Sequence, residues 1–199
     1  MTQTVRTFIA VELSAEAQSA LLDLQNRLKT ILPPKTVRWT APPNIHLTLH
    51  FLGEVAVDQI EAIGQVIITT AQDSQPFTLR LAGMGCFPNT RRPRILWVGV
   101  SGQTKPLLAM HRALGERLKT VIDFEPDQRP YAPHLTIGRV KNGLPRRHLT
   151  QLGEALEQER LVVGELAVLP VAGISLIKSE LKPTGAVYTP LIHGKFQDS

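Results

Sequence analysis

The chain has 199 residues, 43% of them hydrophobic, which is enough apolar material for one compact body or for two small lobes sharing a core. Charged residues make up 20% and no stretch is low in complexity, which excludes global disorder. The formal charge of +5 and a pI of about 9.7 permit an anionic partner such as nucleic acid, phosphate or a membrane surface, without selecting one.

Cys86 is the only cysteine, which excludes an intramolecular disulfide and a multi-cysteine zinc site. The first residues, Thr2 to Glu12, carry Arg6 and Glu12 and lack the apolar run and cleavage site of a signal peptide. No segment reaches the length of a membrane span, so the expectation is a soluble, cytoplasmic protein without a membrane partner.

Taken in chain order, Thr7 to Leu13 is short, apolar and β-branched, and it reads as a buried strand ending at Ser14, a helix N-cap. Leu21, Leu24, Leu28 and Ile31 then recur at a helical period over Ala15 to Ile31, and Pro33-Pro34 ends that helix. Val37 to Trp39 is a short strand, and Ile45 to Leu52 is a strand closed by Gly53. Asp58 to Ala71 reads as helix, Phe77 to Leu81 as extended, Ile95 to Val100 as strand and Leu107 to Val121 as amphipathic helix. A strand follows over His134 to Val140, then a helix over Arg147 to Glu157, and strands near Leu161–Leu169, Gly173–Leu181 and Val187–His193. Helices between the early strands and a run of strands at the end favour an α+β fold over a doubly wound parallel sheet.

Two of these strands carry the same motif, His46-Leu47-Thr48-Leu49 and His134-Leu135-Thr136-Ile137, each after a proline (Pro43 and Pro133). Residues i and i+2 share a face of a strand, roughly 6.6–6.8 Å apart, so each histidine projects with its threonine while the aliphatic residues enter a core. Side by side, two such strands line one cleft with two imidazoles and two hydroxyls. That set suits hydrolysis of a phosphodiester without a metal. One imidazole takes the proton of the attacking water and the other donates one to the departing ribose oxygen, both titrating near working pH. Threonine hydroxyls and nearby donors stabilise charge on the non-bridging oxygens. Spacing alone does not tell which histidine is acid and which is base.

The chain strongly resembles the 2H phosphoesterase superfamily, specifically the RNA 2′,3′-cyclic phosphodiesterases also called 2′-5′ RNA ligases. The resemblance rests on Arg6 to Val11, Ile45 to Glu54, Pro93 to Val100, Pro133 to Val140, Ser179 to Gly185 and Tyr188, and so spans essentially the whole chain. It implies one domain over residues 1–199, built of two pseudo-symmetric antiparallel-sheet lobes with outer helices around a central cleft. It further implies that His46 is the proton donor to the leaving 3′-oxygen, that His134 is the proton acceptor for water, and that Thr48 and Thr136 hold the phosphoryl oxygens. The product is then a 2′-phosphate, the enzyme a monomer without cofactor or metal, and its partner an RNA with a 2′,3′-cyclic phosphate end or a cyclic nucleotide. Read backwards, with an RNA hydroxyl in place of water, the same chemistry is 2′-5′ ligation. The reading from a different class is an RNA-end-binding module that grips the phosphate without turnover.

Other residues carry weaker signals. His50 shares the predicted face of His46 but lies roughly 13 Å along the strand, too far for a shared metal, and reads as structural or at the cleft edge. His111, His148 and His193 lack a partner pattern and read as surface residues. Arg139 shares no face with His134 and Thr136 by simple alternation; a bulge at Gly138 changes that and makes it a phosphate contact. Arg91, Arg92, Arg94 and the pair Arg146-Arg147 are candidate RNA-backbone contacts, Arg92 foremost. Trp39, Phe51 and Trp97 are candidate base-stacking residues, with Trp39 the best placed. Gly83-Met84-Gly85 is followed by Pro88 where a dinucleotide fingerprint needs its third glycine, and no P-loop or activated-lysine motif occurs.

Overall fold

A computed structural model describes residues 3–183 and 185–197; Thr2 and Thr184, used above in the N-terminal reading and the resemblance, lie outside the described residues. The strands are β1 (Thr4–Val11), β2 (Val37–Trp39), β3 (Leu47–Ala56), β4 (Phe77–Phe87), β5 (Ile95–Gly102), β6 (His134–Val140), β7 (Glu165–Val171), β8 (Gly173–Lys182) and β9 (Gly185–Lys195). The α-helices are α1 (Ala15–Ile31), α2 (Ile60–Gln72), α3 (Thr104–Leu118) and α4 (Arg146–Val162). Short 3₁₀ turns at Pro42–Asn44 and Val57–Gln59 precede β3 and α2.

The strands form two antiparallel sheets, one ordered β3-β1-β8-β9 and the other β2-β6-β5-β4-β7. Helices α2 and α3 lie with the first sheet, α1 and α4 with the second, and β3 meets β6 between them. The fold is therefore α+β, with the helices outside the sheets. The chain crosses between the sheets repeatedly: β1 enters the first, α1 and β2 belong to the second, and β3 returns to the first. The main core is accordingly one cluster, from Ile9 and Leu47 of one sheet through Leu28 to Leu96, Leu135 and Ile137 of the other.

Local chemistry explains most boundaries. Ser14 accepts a hydrogen bond from the Ala17 N–H at 3.2 Å, an N-cap that starts α1, and Leu21, Leu24 and Leu28 are buried along one stripe. Several boundaries differ from the sequence reading by a few residues, and three of them bear on the argument. Gly53 does not close β3; with φ of 71° it is absorbed at an irregularity in the β1–β3 ladder and the strand runs on to Ala56. The glycine-rich stretch after Leu81 stays extended to Phe87, paired with β5 as far as Ile95, and Gly85 sits under the Trp97 ring, where an added Cβ would lie 2.4 Å from the indole. Helix α4 runs to Val162, so Leu161 and Val162 end a helix instead of opening a strand, and both are exposed. The membrane expectation concerns helices only: none among the described residues is long and apolar enough to span a bilayer.

Candidate active site

Bulges decide which side chains share the site face. In the β1–β3 ladder Val11 pairs with Leu47 and Ala10 with Thr48, but Ile9 pairs with His50 and Phe8 with Phe51, so Leu49 is an extra residue. Ile9, Val11, Leu47 and Leu49 belong to the main core, whereas Phe8, Ala10, Ile177 and Tyr188 form a separate cluster on the opposite face. Thr48 and Phe51 lie on that second face, and His50 is turned into the core. This corrects the expectation that His50 shares the face of His46 and agrees with its reading as structural. His50 packs on α3 instead, its Nε2 2.9 Å from the His111 carbonyl, close against Gly115, where an added Cβ would lie 3.2 Å from the imidazole.

A matching irregularity occurs in the second sheet. Trp97 pairs with Thr136 and Leu96 with Gly138, so Ile137 is the extra residue on β6. Arg139 then pairs with Ile95, which alternates onto the same face as Trp97, and Arg139 joins His134 and Thr136 on the site face. The bulge that Arg139 required is present, one residue earlier than Gly138. Arg38 is paired beside it, and both residues are exposed.

Trp39 is the candidate that the structure removes from the site. It pairs with Gly138, and a Cβ added there would meet both Val37 and Trp39 side chains, on the core side. The indole packs against the core with the Lys29 ammonium of α1 6.0 Å from its ring centroid. Phe51, by contrast, is on the site face, 72% exposed, with its ring 6.1 Å from that of Phe8. Trp97 is also on the site face beside Thr136, with its Nε1 buried and without a hydrogen-bond partner. Arg92 lies in the loop between β4 and β5. Together with Arg91 and Arg146 it borders a cavity of about 770 Å³ between the β4–β5 loop and α4, which Glu154 and Glu157 also line.

The two motif histidines have different surroundings. His46 directly precedes β3, after the 3₁₀ turn, with its ring edge-on to Phe8 at 5.7 Å and to Tyr188 at 5.4 Å. Its Nδ1 is buried without a hydrogen-bond partner; the Asn44 carbonyl favours the charged ring but falls outside hydrogen-bond geometry. Burial holds the His46 pKa below the ordinary imidazole value, opposed by that carbonyl and by the Glu12 carboxylate. His134, first residue of β6, is half-buried, with Phe87 edge-on at 5.1 Å. Its Nδ1 lies 2.8 Å from the Ala132 carbonyl. A carbonyl only accepts, so Nδ1 carries the proton and the neutral ring keeps its lone pair on Nε2.

Several contributors escaped the sequence reading. Ser175, fully buried on β8 opposite Ala10, donates to Glu12 Oε1 and so accepts from the His193 Nδ1–H at 2.8 Å. His193 is thus partnered, and so is His111, whose ring lies between those of His50 and Tyr131. Phe8 was legible only as an apolar strand residue; its site-facing role follows from the pairing with Phe51. Among the described residues no group of three or more His, Cys, Asp or Glu side chains is arranged to hold a metal ion.

The chain is similar to known proteins over nearly its whole length. A family model described as LigT-like phosphoesterase matches residues 11–97. The RNA 2′,3′-cyclic phosphodiesterase of Methanothermobacter thermautotrophicus is 33% identical over 187 residues, covering 94% of this chain and 96% of that protein. The chain belongs to the LigT-like phosphoesterase family. A second member, the RNA 2′,3′-cyclic phosphodiesterase of Aquifex aeolicus, is 30% identical over 94% of this chain and 95% of its own. Among solved structures of LigT-like folds, the protein TT0787 of Thermus thermophilus superposes with a TM-score of 0.78 at 27% identity, covering 97% of this chain and 98% of that one. Escherichia coli LigT in complex with 3′-AMP gives 0.74 over 98% and 99% of the two chains, and at 23% identity supports the fold alone.

Proposed function

We propose that this protein is an RNA 2′,3′-cyclic 3′-phosphodiesterase that opens terminal 2′,3′-cyclic phosphates to 2′-phosphates by acid–base catalysis at His46 and His134. The observation that carries the reading is the pair of His-x-Thr motifs at β3 and β6, which meet between the two sheets. His134 has its Nδ1 proton engaged by Ala132, leaving Nε2 to take the proton of water. His46, half-buried among rings beside the Glu12 charge, is the donor. Water attacks phosphorus while its proton passes to His134 Nε2. The bond from phosphorus to the 3′-oxygen breaks, and that oxygen takes the proton of His46.

Thr48 and Thr136 hold the non-bridging oxygens, and Arg139, exposed on the same face, adds positive charge beside them. Phe51 offers its open ring face to the terminal base. Arg92, with Arg91 and Arg146, contacts the backbone of a longer RNA outside the cleft. With an RNA 5′-hydroxyl in place of water, the same groups form a 2′-5′ linkage: the 5′-oxygen bonds phosphorus and gives its proton to His134, and the 3′-oxygen leaves with the proton of His46. Residues 1–199 act as one domain of two related lobes, a reading supported by the continuous core and the repeated crossings between sheets. The enzyme works as a cytoplasmic monomer without a cofactor; both motifs come from one chain, so no second copy is needed to complete the site.

The test is incubation with the four 2′,3′-cyclic nucleotides and a short RNA bearing a cyclic end, with and without EDTA, separating 2′- from 3′-phosphates. EDTA-resistant formation of 2′-phosphate is expected. Exclusive 3′-phosphate would reverse the assigned bond, and tight RNA binding without product would leave an end-binding module.

A further inference from the structure

The two motifs sit on different sheets, and their relative position must be maintained to within a fraction of an ångström for one histidine to act on water and the other on the opposite side of the same phosphorus. Backbone pairing does not do this, because β3 and β6 belong to separate ladders and β3 is an edge strand. One side chain crosses between the motifs. The Tyr131 hydroxyl donates to the Thr48 carbonyl at 2.8 Å, and Tyr131 lies three residues before His134. The next residue, Ala132, supplies the carbonyl that holds the His134 Nδ1 proton. A continuous link therefore runs from the backbone of the first motif through the phenol and the Tyr131–Ala132 backbone to the ring of the second.

The phenol is itself held. Its ring stacks on His111 at 4.0 Å and 11°, and His111 stacks on His50 at 4.1 Å and 24°. His50 is tied to the His111 carbonyl of α3 at 2.9 Å and meets the Phe124 ring edge-on at 5.3 Å. The stack joins three segments, β3, α3 and the stretch leading into β6. Burial raises the Tyr131 pKa well above the ordinary phenol value, so the hydroxyl stays a donor throughout the working range.

We infer that Tyr131 is a positioning residue for catalysis: its hydroxyl sets the spacing between the two His-x-Thr motifs and, through Ala132, the tautomer of His134. This rests on the catalytic reading of His134 given above. The stack beneath it explains why a histidine stands at 50, where alternation alone would have put it on the site face. It also gives the half-buried His111 a role, because a planar ring wedged between Tyr131 and His50 restricts where the phenol can swing.

The experiment compares wild type, Tyr131→Phe and His134→Ala on a 2′,3′-cyclic nucleotide, with ¹⁵N NMR of the imidazoles at pH 7.5. Tyr131→Phe keeps the ring and its stack and removes only the crossing bond. The expected result is a kcat lowered about 10-fold or more with KM within twofold, as misplacement of reacting groups produces. The His134 resonances should move from the Nδ1–H tautomer towards a mixture of the two. If Tyr131→Phe loses thermal stability but keeps wild-type kcat and the wild-type His134 tautomer, the role is structural only and the inference is wrong. Should Tyr131→Phe not yield folded protein, His111→Ala removes the ring beneath the phenol and is expected to give the same two changes at smaller size; wild-type values there would overturn the inference equally. His134→Ala separates the two readings. If it turns over like wild type, the catalytic assignment itself fails, whereas an inactive His134→Ala beside an unaffected Tyr131→Phe refutes the positioning role alone.

Discussion

The segments around His46 and His134 read almost identically, yet the protein builds two different environments from them. The first histidine is packed edge-on against Phe8 and Tyr188 with an unpartnered Nδ1, and burial depresses its pKa. The second opens a strand, is half-buried and has its Nδ1 proton fixed by Ala132. Two imidazoles with one motif thus acquire unlike proton inventories from their neighbours. On the proposed reading, the division of labour between the two histidines comes from their surroundings and not from the motif.

The largest effect expected from this contrast is loss of either ring. His46→Ala and His134→Ala should each lower kcat by roughly 10²–10⁴, the usual contribution of a general acid or base. A substrate with sulfur in place of the 3′-bridging oxygen distinguishes them, since a thiolate leaves without protonation. It should restore most of the rate to His46→Ala and little to His134→Ala; equal rescue of both would break the comparison.

Next come the hydroxyls. Thr48→Val and Thr136→Val should each reduce kcat/KM on the order of 10²-fold, the scale of one donor lost from a charged transition state. Similar losses would mean that both lobes grip the phosphate, and a strongly unequal pair would assign the grip to one sheet.

A smaller effect concerns the alkaline limb of the rate profile. Burial lowers the His46 pKa, and the group must be protonated to act as acid, so the alkaline limb of kcat/KM should lie below the limb for kcat, where the bound anion favours the cation. Phe8→Leu loosens the packing and should move the kcat/KM limb upward. An unmoved limb would mean that burial against Phe8 is not what sets the His46 titration.

The smallest expected effect is on stability. The His111 pKa is lowered to about 4, by burial first and then by His50, with the Leu49 carbonyl opposing. A histidine depressed in the folded state contributes stability that is fully present above the unfolded value, about 6.5. That stability drains away as pH falls towards 4. The melting temperature should therefore decline by a few degrees over this window, and His111→Phe should flatten the decline while keeping a ring in the stack. A decline of the same size in the variant would move the origin to other groups.

Much of the fold was legible because its signals are local. The N-cap at Ser14, the leucine stripe of α1 and the apolar runs of β1, β5 and β6 depend on residues within a few positions of one another. The four proposed site residues stand out in the sequence for the same reason, as two short motifs within a chain-long resemblance. What could not be read was the phase of each strand. Alternation assumes an unbroken ladder, and the extra residues Leu49 and Ile137 shift it. His50 is thereby exchanged for Phe51 on the site face, and Arg139 is delivered to it. A bulge depends on how far the partner strand slides, which no run of residues on one strand encodes.

By itself, then, the sequence determined the α+β class, the helices and strands to within a few residues, the two His-x-Thr motifs and the absence of any intramolecular disulfide. Only the tertiary structure decided that Trp39 belongs to the core, that Arg92 borders a separate cavity, and that Phe8, Glu12 and Tyr131 surround or connect the motifs. The physical reason is range. Propensity and capping act over a single turn or strand, whereas the tautomer of His134, the burial of His46 and the Tyr131–Thr48 bond depend on atoms brought together by the packing of two sheets, 83 positions apart in the case of that bond.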